Sequence, residues 1–169
     1  MVTVRRYKEC DKEIWNDFNL KSKNSLFMFN RNFMDYHKDR FLDHSLMFFN
    51  DKEELIAILP MSEKERVLTS HGGLTYGGFI VGTDIKQHSM NDCFAALLKY
   101  ARENGFQEIF YKTIPHIFHE YPAEEDRYSL FLNNAQLVRV EPSSVINLSK
   151  PLKMPKGRKA QISRAKREC

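Results

Sequence analysis

Between residues 70 and 82 the chain reads SHGGLTYGGFIVG, setting one histidine and one tyrosine among five of its seven glycines, at 72, 73, 77, 78 and 82. His71 is the best base candidate, because imidazole titrates near neutrality and this one is followed by glycines at the end of an expected strand. Glycine reaches positive φ at little cost and lets another group approach the backbone closely. The N–H groups around Gly72, Gly73, Gly77 and Gly78 therefore have the capacity to hold an anion or to polarise a carbonyl. Tyr76 supplies a phenol that can donate a proton or anchor a polar ligand. The structural alternative is a glycine-rich turn that His71 and Tyr76 merely brace.

Three other groups carry possible chemistry. Tyr36, His37 and Arg40 combine aromatic, titratable and cationic side chains in an aromatic-rich stretch, where they either line a ligand cleft or serve packing. Asp126, Arg127 and Tyr128 can bind a polar acceptor, although acidic residues there also suit the first turns of a helix. His116, His119 and Glu120 lack the H-E-x-x-H spacing and have no nearby cysteine, so no metal is expected. Cys10, Cys93 and Cys169 are too few and too far apart for a disulfide framework. Phosphate-loop, nucleophile-elbow and dinucleotide-binding signatures are absent from the sequence, which removes the usual support for kinase, hydrolase and dehydrogenase readings.

The elements that must position these residues follow from periodicity. Residues 2–7 alternate as a short strand, and Asp11 precedes a helical stripe of Ile14, Trp15 and Phe18. Residues 24–41 read as helical turns, with Asn30 or Asn32 among the candidate caps. Residues 45–50, 54–62 and 66–70 predict a three-strand antiparallel meander, followed at once by the glycine stretch. Met90, Cys93, Phe94, Leu97, Leu98 and Ala101 share one face of a long helix over 85–104, with Gly105 at its C-terminal cap. A strand at 108–112, a helix from about Pro122 to Asn133 and strands at 136–141 and 143–148 complete a mixed α/β sheet with helices on its faces.

The chain has 169 residues and a net charge of +4. Residues 150–169 hold eight Lys/Arg against one Glu, a local charge of +7, which leaves the rest at −3. The basic character thus belongs to the tail, and a nucleic-acid reading would have to rest there. No run approaches a membrane-spanning length, and the polar start lacks a signal-peptide core. A soluble, cytoplasmic protein without membrane insertion is the expectation.

In this order of elements the chain resembles the GNAT (Gcn5-related N-acetyltransferase) superfamily. It is most similar to the N-terminal half of the Fem-type (FemAB-like) acyl and aminoacyl transferases of bacterial cell envelopes, which join two GNAT-like halves. The residues that carry the likeness are FMFNRNFMDYHKDRF (27–41), SHGGLTYGG (70–78), YKTIPHIFHEYPAEEDRYSLF (111–131) and RKAQISRAK (158–166).

The resemblance implies a GNAT-like domain over 1–149, built on a central mixed, largely antiparallel sheet with helices on both faces. It makes 150–169 a basic linker and helix of the kind that leads into a second half. The implied activity is transfer of an acyl or aminoacyl group to an amine of a sugar or cell-envelope precursor. Acyl-CoA (acetyl-CoA) is the implied small-molecule donor, and a charged tRNA the donor in the aminoacyl case. His71 would act as base, Tyr76 as proton donor to a leaving thiolate, and Gly72, Gly73, Gly77 and Gly78 as the coenzyme cradle. Tyr36, His37, Arg40, Asp126, Arg127 and Tyr128 would hold the acceptor.

Two departures qualify these expectations. Ordinary GNAT enzymes carry Q/R-x-x-G-x-G/A between the fourth strand and the next helix, where N–H groups hold the coenzyme pyrophosphate; here that interval is SHGGLTYGGFIVGT. The chain also stops where a second half would begin. A catalytically incomplete acceptor-binding module is therefore the alternative expectation, with a second GNAT-like half or a second copy as partner.

Overall fold

The computed structural model describes residues 2–142, 144–150 and 152–168, and of His37 only the backbone. Ser143 in the last expected strand, Pro151 in the expected linker, and Cys169 lie outside the described residues, as does Met1. Residues up to Ala135 form one compact unit and those from Gln136 onward a second.

The first unit is mixed α/β. Strand β1 (Thr3–Arg6) is followed by α1 (Lys12–Lys21), the short α2 (Arg31–Met34), and strands β2 (Leu42–Asp43), β3 (Leu46–Phe49) and β4 (Leu55–Leu59). Strands β5 (Ser62–Lys64), β6 (Val67–Thr69) and β7 (Ile80–Val81) lead to α3 (Gln87–Glu103), β8 (Glu108–Phe110) and α4 (Glu125–Leu132). Among the described residues the strands fall into two four-stranded sheets, in the orders β1-β3-β4-β7 and β2-β5-β6-β8. All pairings are antiparallel except β6 with β8, which α3 connects in parallel.

The expected meander is thus shared between two sheets. The reason lies at Pro60, between β4 and β5: proline has no N–H to continue a ladder, and the chain leaves the first sheet there. β6 and β7 also lie in different sheets, divided by residues 70–79, so the glycine stretch spans a place where the sheets part.

The two-residue period of the strands sorts the core into two layers. Phe48, Ala57, Leu59 and Val81 face Met90, Cys93, Phe94 and Leu97 of α3, all of them buried. Met47, Ile58 and Ile80 point the other way, towards Trp15 of α1, Phe29 and Met34. Helices therefore cover both faces of the first sheet. The helix α3 keeps the face that its sequence predicts, and Gly105 ends it with φ of 73°. Asn30 caps α2 by accepting the Asn32 N–H at 2.9 Å.

Two polar anchors lie inside the Trp15 layer. The Trp15 Nε1–H donates to the Phe29 carbonyl at 2.8 Å. The buried Arg31 guanidinium lies between the Tyr7 and Trp15 rings, 3.5 and 4.0 Å from their centroids, and pairs with Asp43 at 3.1 Å. Burial lowers the Arg31 pKa, a shift that Asp43 opposes.

The outer edge of β7 is closed by a loop rather than by a strand. Asn24 donates from Nδ2 to the Phe79 carbonyl at 2.8 Å and accepts the Val81 N–H at 3.0 Å. The Lys23 N–H donates to the Val81 carbonyl at 3.1 Å, and the Lys23 carbonyl accepts from the Glu120 N–H at 2.8 Å. The Lys23 ammonium is buried against Glu125 at 2.5 Å.

In the second unit, α5 (Lys156–Glu168) forms as the basic tail predicts, with an Arg164–Glu168 pair at 2.8 Å. The strands expected over 136–141 and 143–148 do not form among the described residues, which are without regular structure up to a turn at 148–149 and exposed. Their β-branched composition favours a strand only where a neighbour supplies the ladder. Among the described residues no helix is long and apolar enough to cross a membrane.

Asn24→Ala leaves two buried backbone groups, the Phe79 carbonyl and the Val81 N–H, without their side-chain partner. It is expected to lower stability by about 2–4 kcal/mol, read as a fall in the urea midpoint with an unchanged slope.

Candidate functional site

The glycine loop is tied down from β8. The Ser70 N–H donates to the Phe110 carbonyl at 2.8 Å, and the Lys112 N–H donates to Ser70 Oγ at 2.6 Å. The half-buried Lys112 ammonium then donates to the carbonyls of His71, at 2.7 Å, and Leu74. Burial pulls the Lys112 pKa below its ordinary value.

Inside the loop, His71 adopts φ of 38° and is 4% exposed. Its Nδ1 accepts the Gly73 N–H at 3.3 Å, its carbonyl accepts the Leu74 N–H at 3.1 Å, and the Gly72 N–H donates to Ser62 Oγ at 2.9 Å. The N–H groups of Gly72 and Gly73 are thus engaged by acceptors of the protein itself. Gly72, Gly73 and Thr75 form the exposed crest. Phe41 packs against that crest, with its ring 5.6 Å from His71, and a Cβ on Gly73 would run into it.

Packing accounts for the second glycine pair. A Cβ on Gly77 would strike the Ser70 carbonyl. Gly78 has φ of 86°, and a Cβ there would lie 2.7 Å from the Lys112 carbonyl and 2.8 Å from the Tyr111 hydroxyl.

Beneath the loop, the Phe79 N–H donates to the Tyr111 hydroxyl at 2.7 Å, and that hydroxyl donates to Asp126 Oδ2 at 2.8 Å. Burial, aided by Asp126, raises the Tyr111 pKa well above the usual phenol value. Burial also raises the Asp126 carboxyl, against the opposing hydrogen bonds from Tyr111 and the Arg127 N–H.

Among the candidates, the structure brings Asp126 to Gly78, at the end of the loop, through Tyr111. Tyr76 is half-buried, with its ring 5.3 Å from Phe118. Arg127 is exposed and paired with Glu124 at 2.7 Å, and Tyr128 is exposed and stacked on Phe131. Tyr36 and Arg40 are exposed, Arg40 lying 3.9 Å from Asp39, and the His37 side chain lies outside the described residues. Their segment meets the loop through Phe41. Burial lowers the pKa of His119, whose ring nitrogens are enclosed. Among the described residues no group of three His, Cys, Asp or Glu is placed to hold a metal.

Sequence reasoning missed Lys112, Ser70, Ser62 and Phe41. Tyr111 was recoverable, because alternation along EIFYK puts it on the same face as the core residue Ile109. Nothing local marks Lys112, whose partners lie 38 and 41 residues away.

No protein-family model matches the chain, and no curated protein is similar to it in sequence. Solved structures are similar in fold. YycN of Bacillus subtilis, an acetyltransferase by inference, has a TM-score of 0.52 at 11% identity over 87% of this chain and 99% of its own. The ribosomal-protein-S18-alanine N-acetyltransferase of Escherichia coli has a TM-score of 0.44 at 12% identity over 63% of each chain, just under two thirds of its length. The spermidine N-acetyltransferase of Vibrio cholerae, solved with CoA and spermine, has 0.43 at 11% identity over 64% of this chain and 68% of its own. The first likeness carries the comparison: the chain has the GNAT fold.

The raised Asp126 pKa has a defined sign. Its folded value lies above the unfolded one, so its contribution to stability is fullest below about pH 4 and is lost as pH rises through the folded value. Asp126→Asn, which can still accept from Tyr111, is expected to gain on the wild type in melting temperature between pH 4 and 7. Parallel melting curves over that range would contradict the burial assigned to this carboxyl.

Proposed function

We propose that the chain is a GNAT-type N-acyltransferase, or one half of such an enzyme, that passes an acyl or aminoacyl group to an amine of a sugar or cell-envelope precursor. The observation that carries this reading is the parting of the two sheets at residues 70–79, which sets the exposed Gly72, Gly73 and Thr75 beside Phe41 in a GNAT-fold domain. The Fem-type likeness of residues 27–41, 70–78, 111–131 and 158–166 directs the choice of acceptor.

In direct transfer the amine nitrogen attacks the carbonyl carbon, the C–N bond forms, and the C–S bond of a thioester donor breaks. One proton leaves the amine and one is taken up by the departing thiolate. His71 is the base of this proposal, through the Nδ1 lone pair that is available once the Gly73 N–H moves off it, and Tyr76 is the acid. Because His71 lies beneath the crest, it reaches an amine through a water or through a shift of Gly72 and Gly73.

Acyl-CoA is the donor this reading favours. Its pyrophosphate would meet the first turn of α3, where Lys86 is the N-cap and no side chain caps the N–H groups. The open hollow beside it, of about 550 Å³, includes Lys21 and Ser89, which suit a phosphate, and Asp17, Glu54 and Asp84, which oppose one. An aminoacyl donor carried on tRNA would instead use the basic residues of α5.

A second reading is a catalytically incomplete acceptor-binding module of a two-half Fem-like transferase. Two observations favour it: the Gly72 and Gly73 N–H groups already have acceptors, and Lys23 and Asn24 cover the outer edge of β7.

Titration with acetyl-CoA and with nucleotide amino sugars, followed by turnover assays, separates the two. For the enzyme, His71→Gln and Tyr76→Phe are each expected to lower kcat by about 10²-fold or more with acyl-CoA affinity unchanged. Acceptor binding without acyl-CoA binding or turnover selects the module. Neither binding nor turnover, here and in a longer chain with a second such domain, defeats both.

A further inference from the structure

We propose that the hollow between α1 and the turns of residues 25–33 is a binding site for a neutral pyranose sugar. The hollow shares no residue with the glycine loop, and this inference does not depend on the acyl-transfer reading.

The hollow has a volume of about 780 Å³, with α1 lining one side and residues 25–33 the other. Six of its nine lining residues are Asn, Asp or Ser, and the other three are Leu20, Phe27 and Phe33. A few convergent polar groups beside aromatic rings are the usual make-up of a small-molecule site.

The polar wall is fixed by the protein itself. Asn16 Oδ1 accepts the Arg31 N–H at 2.8 Å, and Asn30 Oδ1 accepts the Asn32 N–H at 2.9 Å. Asn19 is engaged at both ends: its Nδ2 donates to the Leu26 carbonyl and its Oδ1 accepts from Ser25 Oγ, each at 3.3 Å. From beneath, Trp15 holds the Phe29 carbonyl. Asn19 is therefore a brace, whereas Asn16 and Asn30 are held through their oxygens only. Their NH2 groups keep two donors each, and among the described residues neither has a protein acceptor. The exposed Asn32 side chain adds a donor group and an acceptor.

The apolar part of the hollow stands outside the core. Phe27 is 70% exposed and Phe33 41%, and their rings meet edge to face at 5.2 Å. That contact orients the Phe27 ring while most of its surface stays in water. A ring held in this way adds little to the core and offers a ligand a large apolar surface.

Charge and polarity choose the ligand class. No Lys, Arg or His lines the hollow, so a phosphate or a nucleotide finds no counter-charge there. The one carboxylate, Asp17, is paired with Lys21 at 2.7 Å, and a single engaged carboxylate does not hold a metal ion. A wholly apolar ligand would cover amides without satisfying them. A pyranose answers each demand: it is neutral, one ring face is C–H, and hydroxyls surround its rim. The C–H face would lie on Phe27, with adjacent hydroxyls accepting from Asn16 and Asn30 and donating to Asp17 and Asn32.

The test uses the full chain with methyl β-D-glucopyranoside and cellobiose, which carry neither charge nor amine. Titrated into isotope-labelled protein, they are expected to shift the backbone and side-chain amide resonances of residues 16–33 saturably, with a Kd of about 1 mM. Because no charge is exchanged, that Kd should be the same at low and high salt. Phe27→Ala is expected to weaken binding about tenfold with an unchanged melting temperature. Phe27→Trp should retain binding, and Asn32→Ala should weaken it. No saturable shift, shifts centred on residues 70–79, binding indifferent to both Phe27→Ala and Asn32→Ala, or an affinity that falls with salt overturns the proposal. None of those results bears on acyl transfer, because these sugars have no amine to accept an acyl group.

Discussion

Lys112 is the constraint on which the candidate site depends. Taking an ammonium partly out of water is costly unless acceptors replace its hydration, and here they are the carbonyls of His71 and Leu74. Those two bonds fix the loop over the end of β8, while the Lys112 N–H fixes Ser70 at its base. The Lys112 carbonyl and the Ser70 carbonyl then come so near the returning chain that positions 78 and 77 have no room for a side chain. The glycines therefore answer two different demands. Gly77 and Gly78 let the backbone pass over β8, whereas Gly72 and Gly73 form the crest that reaches solvent.

What could be read from the sequence was whatever depends on near neighbours. The stripe of α3, its glycine cap, the Asn30 cap and the burial of Trp15 each follow from a few consecutive turns, and each is present. What could not be read depends on distant pairings. The meander divides because Pro60 interrupts one ladder and the glycine loop another, and local β-propensity carries no information about which sheet a strand joins. Asn24 lies in a stretch that reads as helical turns, but its amide pairs with the Phe79 carbonyl and the Val81 N–H, 55 and 57 residues away. Residues 136–141 show the converse, a strong strand pattern without a ladder.

The same distinction applies within the site. His71 and Tyr76 stood out because their residue types can do chemistry beside glycines, and the loop does hold them close to Phe41 and Phe118 respectively. Asp126 stood out as an acidic residue at a helix start. Its role in the fold is instead to accept from Tyr111, which itself receives the Phe79 N–H. This buried chain of donors and acceptors joins α4, β8 and the end of the glycine loop. Arg127 and Tyr128, its sequence neighbours, turn outward because adjacent positions on a helix point about 100° apart.

The arrangement bears on how a GNAT-fold domain can vary its chemistry. A fold supplies a place for a ligand, and the donors and acceptors left unspent at that place decide which ligand. Around residues 70–79 the backbone donors of the first glycine pair are spent on Ser62 and His71, and the outer edge of β7 on Asn24 and Lys23. Among the described residues, the first turn of α3 keeps N–H groups that no side chain caps, and the crest with Phe41 offers exposed surface whose donors are engaged. In the proposed transfer, a donor substrate and an acceptor would divide between two surfaces, one at the start of α3 and one at the glycine crest. On that division, loss of either surface would leave a protein that binds one substrate and transfers nothing, which makes the enzyme and the binding module neighbouring solutions of the same fold.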